Sequence, residues 1–356
     1  EVAEVNTSWL PMHHDMGLIG CLTFPITYGL DITLMNPTTF LARPIRYLEA
    51  LSGKASIMSG PNFGYQFCVD RLTQKDVAGL DLSKIVAATS GSEMIRPETM
   101  NAFCDLMAPS GFKREMLMPC YGMAEATLAV TFFSDNAGLG TKAVPQKSGF
   151  VLEEQEVVNV GICVPDTEVK IVDAAERTLD QDELGHIYVK GPAVFSGYFN
   201  DEDETAASME SEWLKTGDLG FISGDDLYIA GRSKEILVIR GENIMPHEVE
   251  WLAEEARGQG TGGERTAAFS ISQEGAGEEI SLVVETNEKD DGKLSELDRA
   301  IKSRIGRAMS LPVADLVFVK RGSIPRTTSG KIQRSKIKQQ YLDGTLTRIE
   351  WTAVSG

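Results

Sequence analysis

Apolar positions along this chain follow two rhythms. Up to about Gly231, short β-rich apolar runs alternate with longer stretches whose apolar residues recur at helical spacing, the pattern of a sheet with crossover helices. Residues 32–35 and 56–59 read as strands, the second ended by Gly60-Pro61. Residues 44–51 read as a helix with Ile45, Leu48 and Leu51 on one face, and 62–71 as another with Phe63, Phe67 and Cys68 at core spacing. Residues 18–28 are largely apolar and predict a buried helix. Residues 85–89 form a short buried strand, and Pro97, suited to a first helical turn, opens a helix to Met107. The stretch 136–161 is Gly-rich and irregular. Beyond it the pattern turns to strands at 168–172, 185–190 and 226–230, a β-rich subdomain over about 160–231.

A charged joint, Gly231-Arg232-Ser233-Lys234, changes the organisation. After it come a strand at 236–240, a helix at 247–256, strands at 266–272 and 279–285, an amphipathic helix at 293–310, a strand at 316–320 and a last helix at 330–342. This string of roughly 120 residues is enough for a small α+β domain. The expected fold is therefore α/β: residues 1–231 as part of a large α/β domain, 232–234 as the joint, and 235–356 as a smaller α+β domain.

Composition narrows the class. The chain has 356 residues, 42% hydrophobic and 24% charged, as in an ordinary soluble globular protein. No apolar run reaches the length of a membrane span, and no secretory signal opens the chain. Five scattered cysteines without CxxC spacing suggest neither a disulfide framework nor a zinc site, and fit a reducing cytoplasm. A net charge of −18 argues against a protein built to coat nucleic acid. The charge is uneven: between Arg299 and Arg348 lie twelve Lys or Arg and two acids, Asp315 and Asp343. That stretch is either a solvated helix face or a local site for an anionic substrate or acidic partner. The chain opens on Glu1 and runs at once into apolar sequence, so it is expected to begin in mid-domain.

Four polar, glycine-bearing segments stand out, each after or at the end of an apolar run: 90–93, 121–127, 216–220 and 326–331. Small-residue loops at strand ends bring backbone N–H groups close to a nucleotide. Singly, each is as well explained as a chain turn. Together and in order they resemble the adenylate-forming superfamily, over nearly the whole chain. The matching motifs are Tyr-Gly-x-x-Glu at 121–125, Thr-Gly-Asp at 216–218, Gly-Arg-x-Lys-Glu at 231–235 and Pro-Arg-Thr-x-Ser-Gly-Lys at 325–331. Within that superfamily the resemblance is strongest to fatty acyl-AMP ligases, on Ser8-Trp9-Leu10-Pro11 with His14-Asp15-Met16-Gly17-Leu18-Ile19-Gly20, and on Gly60-Pro61-Asn62-Phe63. Many acyl-CoA synthetases carry threonine where this chain has Ala124. The ligases' insertion is expected within 132–160. The superfamily's Ser/Thr/Gly-rich phosphate loop lies upstream of the His-Asp-Met-Gly region and is not found here. Ser-Gly-Lys at 329–331 is no substitute, lacking the leading glycine of a P-loop. The chain is thus expected to be the later part of a larger enzyme, incomplete for ATP binding by itself.

The resemblance assigns roles. Asp218 would accept the ribose hydroxyls, and Arg232 would bind the same ribose or a phosphate. The plain alternative for Asp218 is a turn cap. Tyr121 would flank the adenine, with Gly122 allowing close approach and Met123 and Ala124 beside it; the alternative for Tyr121 is a core aromatic. Ser92 and Glu93 would lie along the adenine or the α-phosphate side. Glu125 would ligate Mg²⁺, or else be a charge favoured at a helix N-terminus. His14 would orient the acyl carboxylate, or be a capping or packed histidine; His13 has no assigned role. Lys331 would offset charge as a carboxylate meets the α-phosphate, delivered by a mobile lid domain, 235–356, that turns about Lys234. Phe63, Tyr65 and Phe67 fit either a lipid pocket or an ordinary core.

The implied reaction joins a fatty acid to ATP, giving acyl-AMP and pyrophosphate. A phosphopantetheine thiol of an acyl carrier protein, or of a polyketide or nonribosomal synthase carrier domain, then takes the acyl group. Lys302, Arg304 and Arg307 in the basic stretch are candidates to meet that acidic partner. A medium- or long-chain acyl-CoA ligase differs only in the acceptor. A non-catalytic acyl- or nucleotide-binding module is the alternative from another class. Retention of Asp218, Arg232, Glu125 and Lys331 together argues against it.

Overall fold

The computed structural model describes residues 3–133, 138–145, 156–240, 242–258, 265–273, 277–327 and 330–352. The chain divides into two compact units, the first ending at Ser233 and the second beginning at Lys234.

In the first unit, β1 (Val5–Ser8), β2 (Asp31–Leu34), β3 (Ser56–Gly60), β4 (Ala87–Ser90) and β5 (Leu117–Gly122) pair in parallel in the order β2-β1-β3-β4-β5. Parallel neighbours need crossover connections. Helices Ile45–Leu51, Asn62–Arg71 and Pro97–Met107 lie in three of them, with Pro97 at the helix start as its fixed φ favours. Strand β6 (Ala129–Phe132) adds antiparallel to β5. Strands β7 (Thr141–Ala143) and β8 (Glu156–Val158) form a separate ribbon, and β9 (Ile162–Cys163) closes the seven-stranded sheet against β6. Within the 132–160 stretch where an insertion was expected, residues 134–137 and 146–155 lie outside the described residues.

The core of this unit is aromatic and aliphatic, with Tyr47, Leu48, Leu51, Phe103 and Met107 all buried. Trp9 stacks on Phe40 with ring centroids 4.0 Å apart. Tyr65 and Phe67 belong to the same core, whereas Phe63 is only partly buried against it. Cys21, Cys68 and Cys104 are buried, and all five cysteines are free. Burial pushes the Cys68 thiol up to about 12 and the Cys104 thiol up to about 11, so neither is a thiolate at neutral pH.

A second sheet holds β10 (Glu168–Val172), β11 (Gly185–Lys190), β12 (Met209–Glu210), β13 (Trp213–Ser223) and β14 (Asp226–Arg232). The order is β10-β11-β13-β12, with β14 also paired to β13, and every pairing is antiparallel. Its Ile171, Ile187, Val189 and Leu227 join the core of the first sheet.

Two expectations for this unit are corrected. Thr216-Gly217-Asp218 is not a short loop but part of β13, an eleven-residue strand. Gly and Asp are poor strand formers, which hid it from a reading by propensity. Thr216 and Asp218 lie on the strand's buried side with Leu214, and their polar groups are met by hydrogen bonds rather than water. Residues 18–28 are not one buried helix. A wide i→i+5 helix, Met16–Thr23, runs into a short α-helix, Phe24–Tyr28. Met16, Gly17, Cys21 and Pro25 face inward, while Leu18, Phe24, Ile26 and Tyr28 are exposed. The i→i+5 winding puts Met16 and Cys21 on one face.

The second unit begins with an antiparallel hairpin, β15 (Leu237–Ile239) and β16 (Glu242–Ile244), of which only the first strand was expected. Helix Pro246–Arg257 follows. Then β17 (Thr266–Gln273) pairs antiparallel with β18 (Gly277–Thr286), and β18 pairs in parallel with β19 (Val313–Lys320) after the helix Asp291–Met309. Side chains alternate across these strands. Ala268, Ile280, Leu282 and Val284 pack with Val249, Leu252, Ile301 and Ile305 of the two longer helices. Ala267, Phe269, Val283, Val317 and Val319 pack with Ile337 of the last helix, Arg334–Leu342. That helix starts later than the expected 330. Before it, Arg326 bridges to Ile332 and the Gln333 N–H donates to the Pro325 carbonyl, 2.9 Å, so Lys331 sits on a hairpin-like loop. Residues 328–329 of that loop lie outside the described residues.

No helix among the described residues is long and apolar enough to cross a membrane.

Candidate active site

Parallel strands leave a crevice beyond their carboxyl ends, where α/β sheets commonly hold ligands. Here β1, β3, β4 and β5 are sheet neighbours in that order, and each runs at its carboxyl end into a singled-out segment. The segments are the Trp9–Gly17 stretch, Gly60-Pro61-Asn62, Ser90-Gly91-Ser92-Glu93 and Tyr121–Thr127.

Two glycines make these turns possible. A Cβ on Gly17 would lie 2.2 Å from the Pro11 carbonyl oxygen, so only glycine lets the helix begin against that backbone. A Cβ on Gly122 would lie 1.7 Å from the Leu128 carbonyl oxygen, where the loop folds back and the Met123 N–H donates to that same oxygen at 2.8 Å.

At the first segment, Asp15 caps the helix by accepting from the Met16 N–H at 2.7 Å. The same Oδ1 lies 2.5 Å from His14 Nδ1. Asp15, not His14, is therefore the cap, and it fixes the imidazole's orientation. At the third segment, Ser92 has a φ of 69°, unusual for a residue with a side chain. The Glu93 carboxylate accepts from the Phe63 N–H at the start of helix Asn62–Arg71, and Asn62 Oδ1 accepts from the Arg96 N–H at 3.0 Å. Glu93 thus ties two neighbouring turns together.

The fourth segment carries the densest polar chemistry. The Tyr121 hydroxyl donates to Asp218 Oδ2 at 2.6 Å. Asp218 pairs across the β13–β14 register with Arg232, whose Nε is 2.9 Å from Oδ1. The Asp218 side chain is only 11% exposed, whereas that of Arg232 is 61% exposed. Gly217, at φ 76°, turns the strand just before Asp218. The Asp218 N–H donates to Thr216 Oγ1 at 3.1 Å, and that hydroxyl donates to the Ile187 carbonyl at 2.8 Å. Asp218 is therefore not a turn cap: its carboxylate serves partners far away in sequence. Burial, followed by the Asp218 charge and hydrogen bond, pushes the Tyr121 hydroxyl well above its usual range, so it stays a donor.

Glu125 lies in a single tight turn, Ala124–Ala126, not at the start of a longer helix, so the helix-charge alternative fails. Its carboxylate accepts from the Tyr198 hydroxyl at 2.9 Å, and its carbonyl accepts from the Phe195 N–H at 2.7 Å. Burial and the neighbouring Glu125 push the Tyr198 hydroxyl up to about 12. Tyr198 was not singled out from sequence; its place in Gly197-Tyr198 before an acidic helix holds no signal of its own. Met123 and Ala124 line the same turn, Ala124 exposed. Among the described residues no group of three or more His, Cys, Asp or Glu side chains could hold a metal by itself. One carboxylate still fits Mg²⁺, which takes one or two carboxylates and completes its octahedron with phosphate oxygens and water.

Lys234 and Lys331 belong to the second unit. Lys234 lies in a one-turn helix, Ser233–Glu235, at the boundary between the units. The Lys331 N–H donates to Thr327 Oγ1 at 3.1 Å, and its carbonyl accepts from the Thr327 N–H at 2.8 Å. In the basic stretch, Lys302 pairs with Asp298 at 2.8 Å and Arg304 with Glu255 at 2.7 Å.

Tyr121 of the first sheet meets Asp218 and Arg232 of the second beside the ends of the parallel strands, where open α/β sheets commonly hold nucleotides. The chain belongs to the AMP-binding enzyme family, whose model matches residues 2–199. A second model, the AMP domain of Disco-interacting protein 2-like proteins, matches residues 266–351. The putative fatty-acid–CoA ligase FadD21 of Mycobacterium tuberculosis (strain H37Rv) is 36% identical over 376 residues, covering 96% of this chain and 63% of the relative. The medium-chain-fatty-acid–[acyl-carrier-protein] ligase JamA of Moorena producens is 35% identical over 382 residues, covering 99% and 64%. Among solved structures, one from work on fatty acyl-adenylate ligases of E. coli and L. pneumophila superposes with a TM-score of 0.86 at 33% identity, covering 96% of this chain and 63% of that one. The chain therefore spans a little under two thirds of the length of these relatives.

Proposed function

We propose that the protein is a fatty acyl-AMP ligase. A fatty-acid carboxylate oxygen attacks the α-phosphorus of ATP, the bond to pyrophosphate breaks, and acyl-AMP forms. A phosphopantetheine thiol of an acyl carrier protein, or of a polyketide or nonribosomal synthase carrier domain, then attacks the acyl carbon. The thiol proton is released and AMP leaves. The observation that carries this reading is the Tyr121–Asp218–Arg232 cluster beside the strand-end crevice. A carboxylate held by a tyrosine on one oxygen and an arginine on the other is fixed in direction, as recognition of two adjacent ribose hydroxyls requires.

In this reading residues 1–231 are the later part of an AMP-binding domain, 232–234 the hinge and 235–356 the lid. Tyr121, Gly122, Met123 and Ala124 flank the adenine, with Ser92 and Glu93 along the adenine or the α-phosphate side. Glu125 would hold Mg²⁺, which neutralises phosphate charge when bound. His14, oriented by Asp15, directs the acyl carboxylate. Lys331 offsets the charge that grows as two anions meet, and a turn about Lys234 delivers it. A reducing cytoplasm suits the five free cysteines.

The acceptor has two candidates. JamA, named as an acyl-carrier-protein ligase, favours a carrier protein, and FadD21, named as a CoA ligase, favours coenzyme A. Thioester formation measured in the intact protein with holo carrier protein and with coenzyme A decides between them. Charge reversal at Lys302, Arg304 and Arg307 should reduce transfer to a carrier while leaving adenylation intact. Lys331→Ala should lower ATP–pyrophosphate exchange by on the order of 10²-fold. Near-normal exchange in that variant removes Lys331 from the mechanism, and no exchange with any fatty acid in the unsubstituted protein overturns the ligase reading.

A further inference from the structure

The Lys331 loop is clamped on both arms by buried charge. On the incoming arm, Glu285 of β18 has a fully buried side chain. Its Oε1 accepts from the Gly322 and Ile324 N–H groups, each at 2.9 Å. Its Oε2 accepts from Arg326 Nη2 at 3.0 Å and from the Arg265 N–H at 3.2 Å. On the outgoing arm, Arg334 forks onto Glu250 of helix Pro246–Arg257, Nε to Oε1 at 2.8 Å and Nη2 to Oε2 at 2.7 Å. Glu250 is itself buried and also accepts from the Ala268 N–H at 3.0 Å. The third nitrogen, Arg334 Nη1, donates to Glu235 Oε2 at 2.7 Å. Glu235 is the residue after Lys234. Between the two arms the loop closes on itself through Thr327–Lys331 and Pro325–Gln333 backbone bonds.

We propose that Arg334 is a positioning residue that makes the Lys331 loop turn as one body with the start of the second unit, so that rotation at Lys234 is passed to Lys331 without slack. The proposal rests on the reading of Lys331 as the charge-offsetting lysine and of Lys234 as the hinge. A bidentate, desolvated Arg–carboxylate pair is the strong and directional kind, and its remaining nitrogen links the end of this loop to Glu235. An arginine serves where lysine cannot, because three nitrogens must reach two carboxylates at once. Glu285 holds the other arm through its bonds to Gly322, Ile324 and Arg326.

The test is a double-mutant cycle on ATP–pyrophosphate exchange in the intact protein, with Arg334→Met, Lys331→Ala and the pair. Misplacing a catalytic group by an ångström costs up to about a hundredfold. Arg334→Met is expected to lower kcat roughly tenfold to a hundredfold with the KM for ATP within about twofold. In the Lys331→Ala background the same substitution should cost less than about twofold, because it has no lysine left to misplace. Arg334→Lys should not restore the rate. If Arg334→Met prevents folding, Glu235→Gln carries the same cycle, since it weakens only the Nη1 arm and leaves the Glu250 pair in place. Equal losses in both backgrounds, or no loss in either, overturn the proposal while Lys331 keeps its role. If Lys331→Ala alone is without effect, the reading of Lys331 falls, and this proposal with it.

Discussion

The Tyr121 hydroxyl and the Asp218 carboxylate, 97 positions apart in sequence, meet at 2.6 Å and join the end of β5 to β13. Neither strand end carries the site alone. The parallel sheet supplies the crevice, and the antiparallel sheet supplies an aspartate whose orientation depends on a tyrosine from the first.

Removing that hydroxyl tests the dependence. A hydrogen bond to a charged group is worth about 1.5–3 kcal/mol, so Tyr121→Phe should weaken binding of a non-hydrolysable acyl-AMP mimic by roughly tenfold to a hundredfold. Asp218→Asn should weaken it at least as much. Isothermal titration reads both, and unchanged affinity in Tyr121→Phe would separate Tyr121 from nucleotide recognition.

The tight return at Gly122 makes a second prediction. With a Cβ placed 1.7 Å from the Leu128 carbonyl oxygen, Gly122→Ala must displace the 122–128 loop. Overpacking of this sort costs about 1–3 kcal/mol, and here it also moves Glu125. Gly79→Ala, with nothing within 4 Å of the added carbon, is the matched control. Thermal unfolding and exchange activity should both fall in the first variant and hold in the second.

The Glu125–Tyr198 bond predicts a change in metal dependence. Outer partners of a metal ligand typically change metal affinity 10- to 100-fold when lost, so Tyr198→Phe should shift the Mg²⁺ concentration for half-maximal exchange by roughly tenfold. Glu125→Gln should lower activity and be partly restored by excess Mg²⁺. Identical Mg²⁺ curves for all three proteins would argue against a metal at Glu125.

Neighbouring residues of helix Pro246–Arg257 give the second unit opposed pH slopes. Burial, reinforced by the Arg334 charge, lowers His247 from 6.5 to about 3. The folded state binds fewer protons than the unfolded chain between those values, so the stability from neutral His247 is present above pH 6.5 and lost as pH falls toward 3. Burial raises Glu248 from 4.5 to about 8, with the Met245 N–H bond opposing. The folded state there binds more protons, so stability is full below pH 4.5 and lost as pH rises through 8. His247→Phe should flatten the acid limb of melting temperature against pH, and Glu248→Gln, which can still accept from Met245, should flatten the alkaline limb. Parallel curves for the variants and the unsubstituted protein would show that neither group sets them.

Local pattern carried far for elements and poorly for partners. The helices Asn62–Arg71 and Pro97–Met107 appear at the expected bounds, because apolar period and a leading proline are properties of adjacent residues. Strand β13 was hidden because its polar stretch reads as a loop until partners for Thr216 and Asp218 are known. The outward face of Phe24–Tyr28 was hidden because apolarity says which side chains can be buried, not which are. Tyr198 and Arg334 were not singled out at all, since each acts through a contact with a residue dozens of positions away.

The sequence by itself determined the alternation of elements, the α/β class, the joint near Lys234 and the motif residues that mark the family, because all of these are written in local order and spacing. Tertiary structure alone decided that Asp218 is held by Tyr121, that Glu125 is met by Tyr198, and that the Lys331 loop is gripped by Glu285 and Arg334. Those are pairings of buried or half-buried charge. Which donor reaches which carboxylate depends on where distant strands and helices come to lie, and no spacing along the chain encodes that.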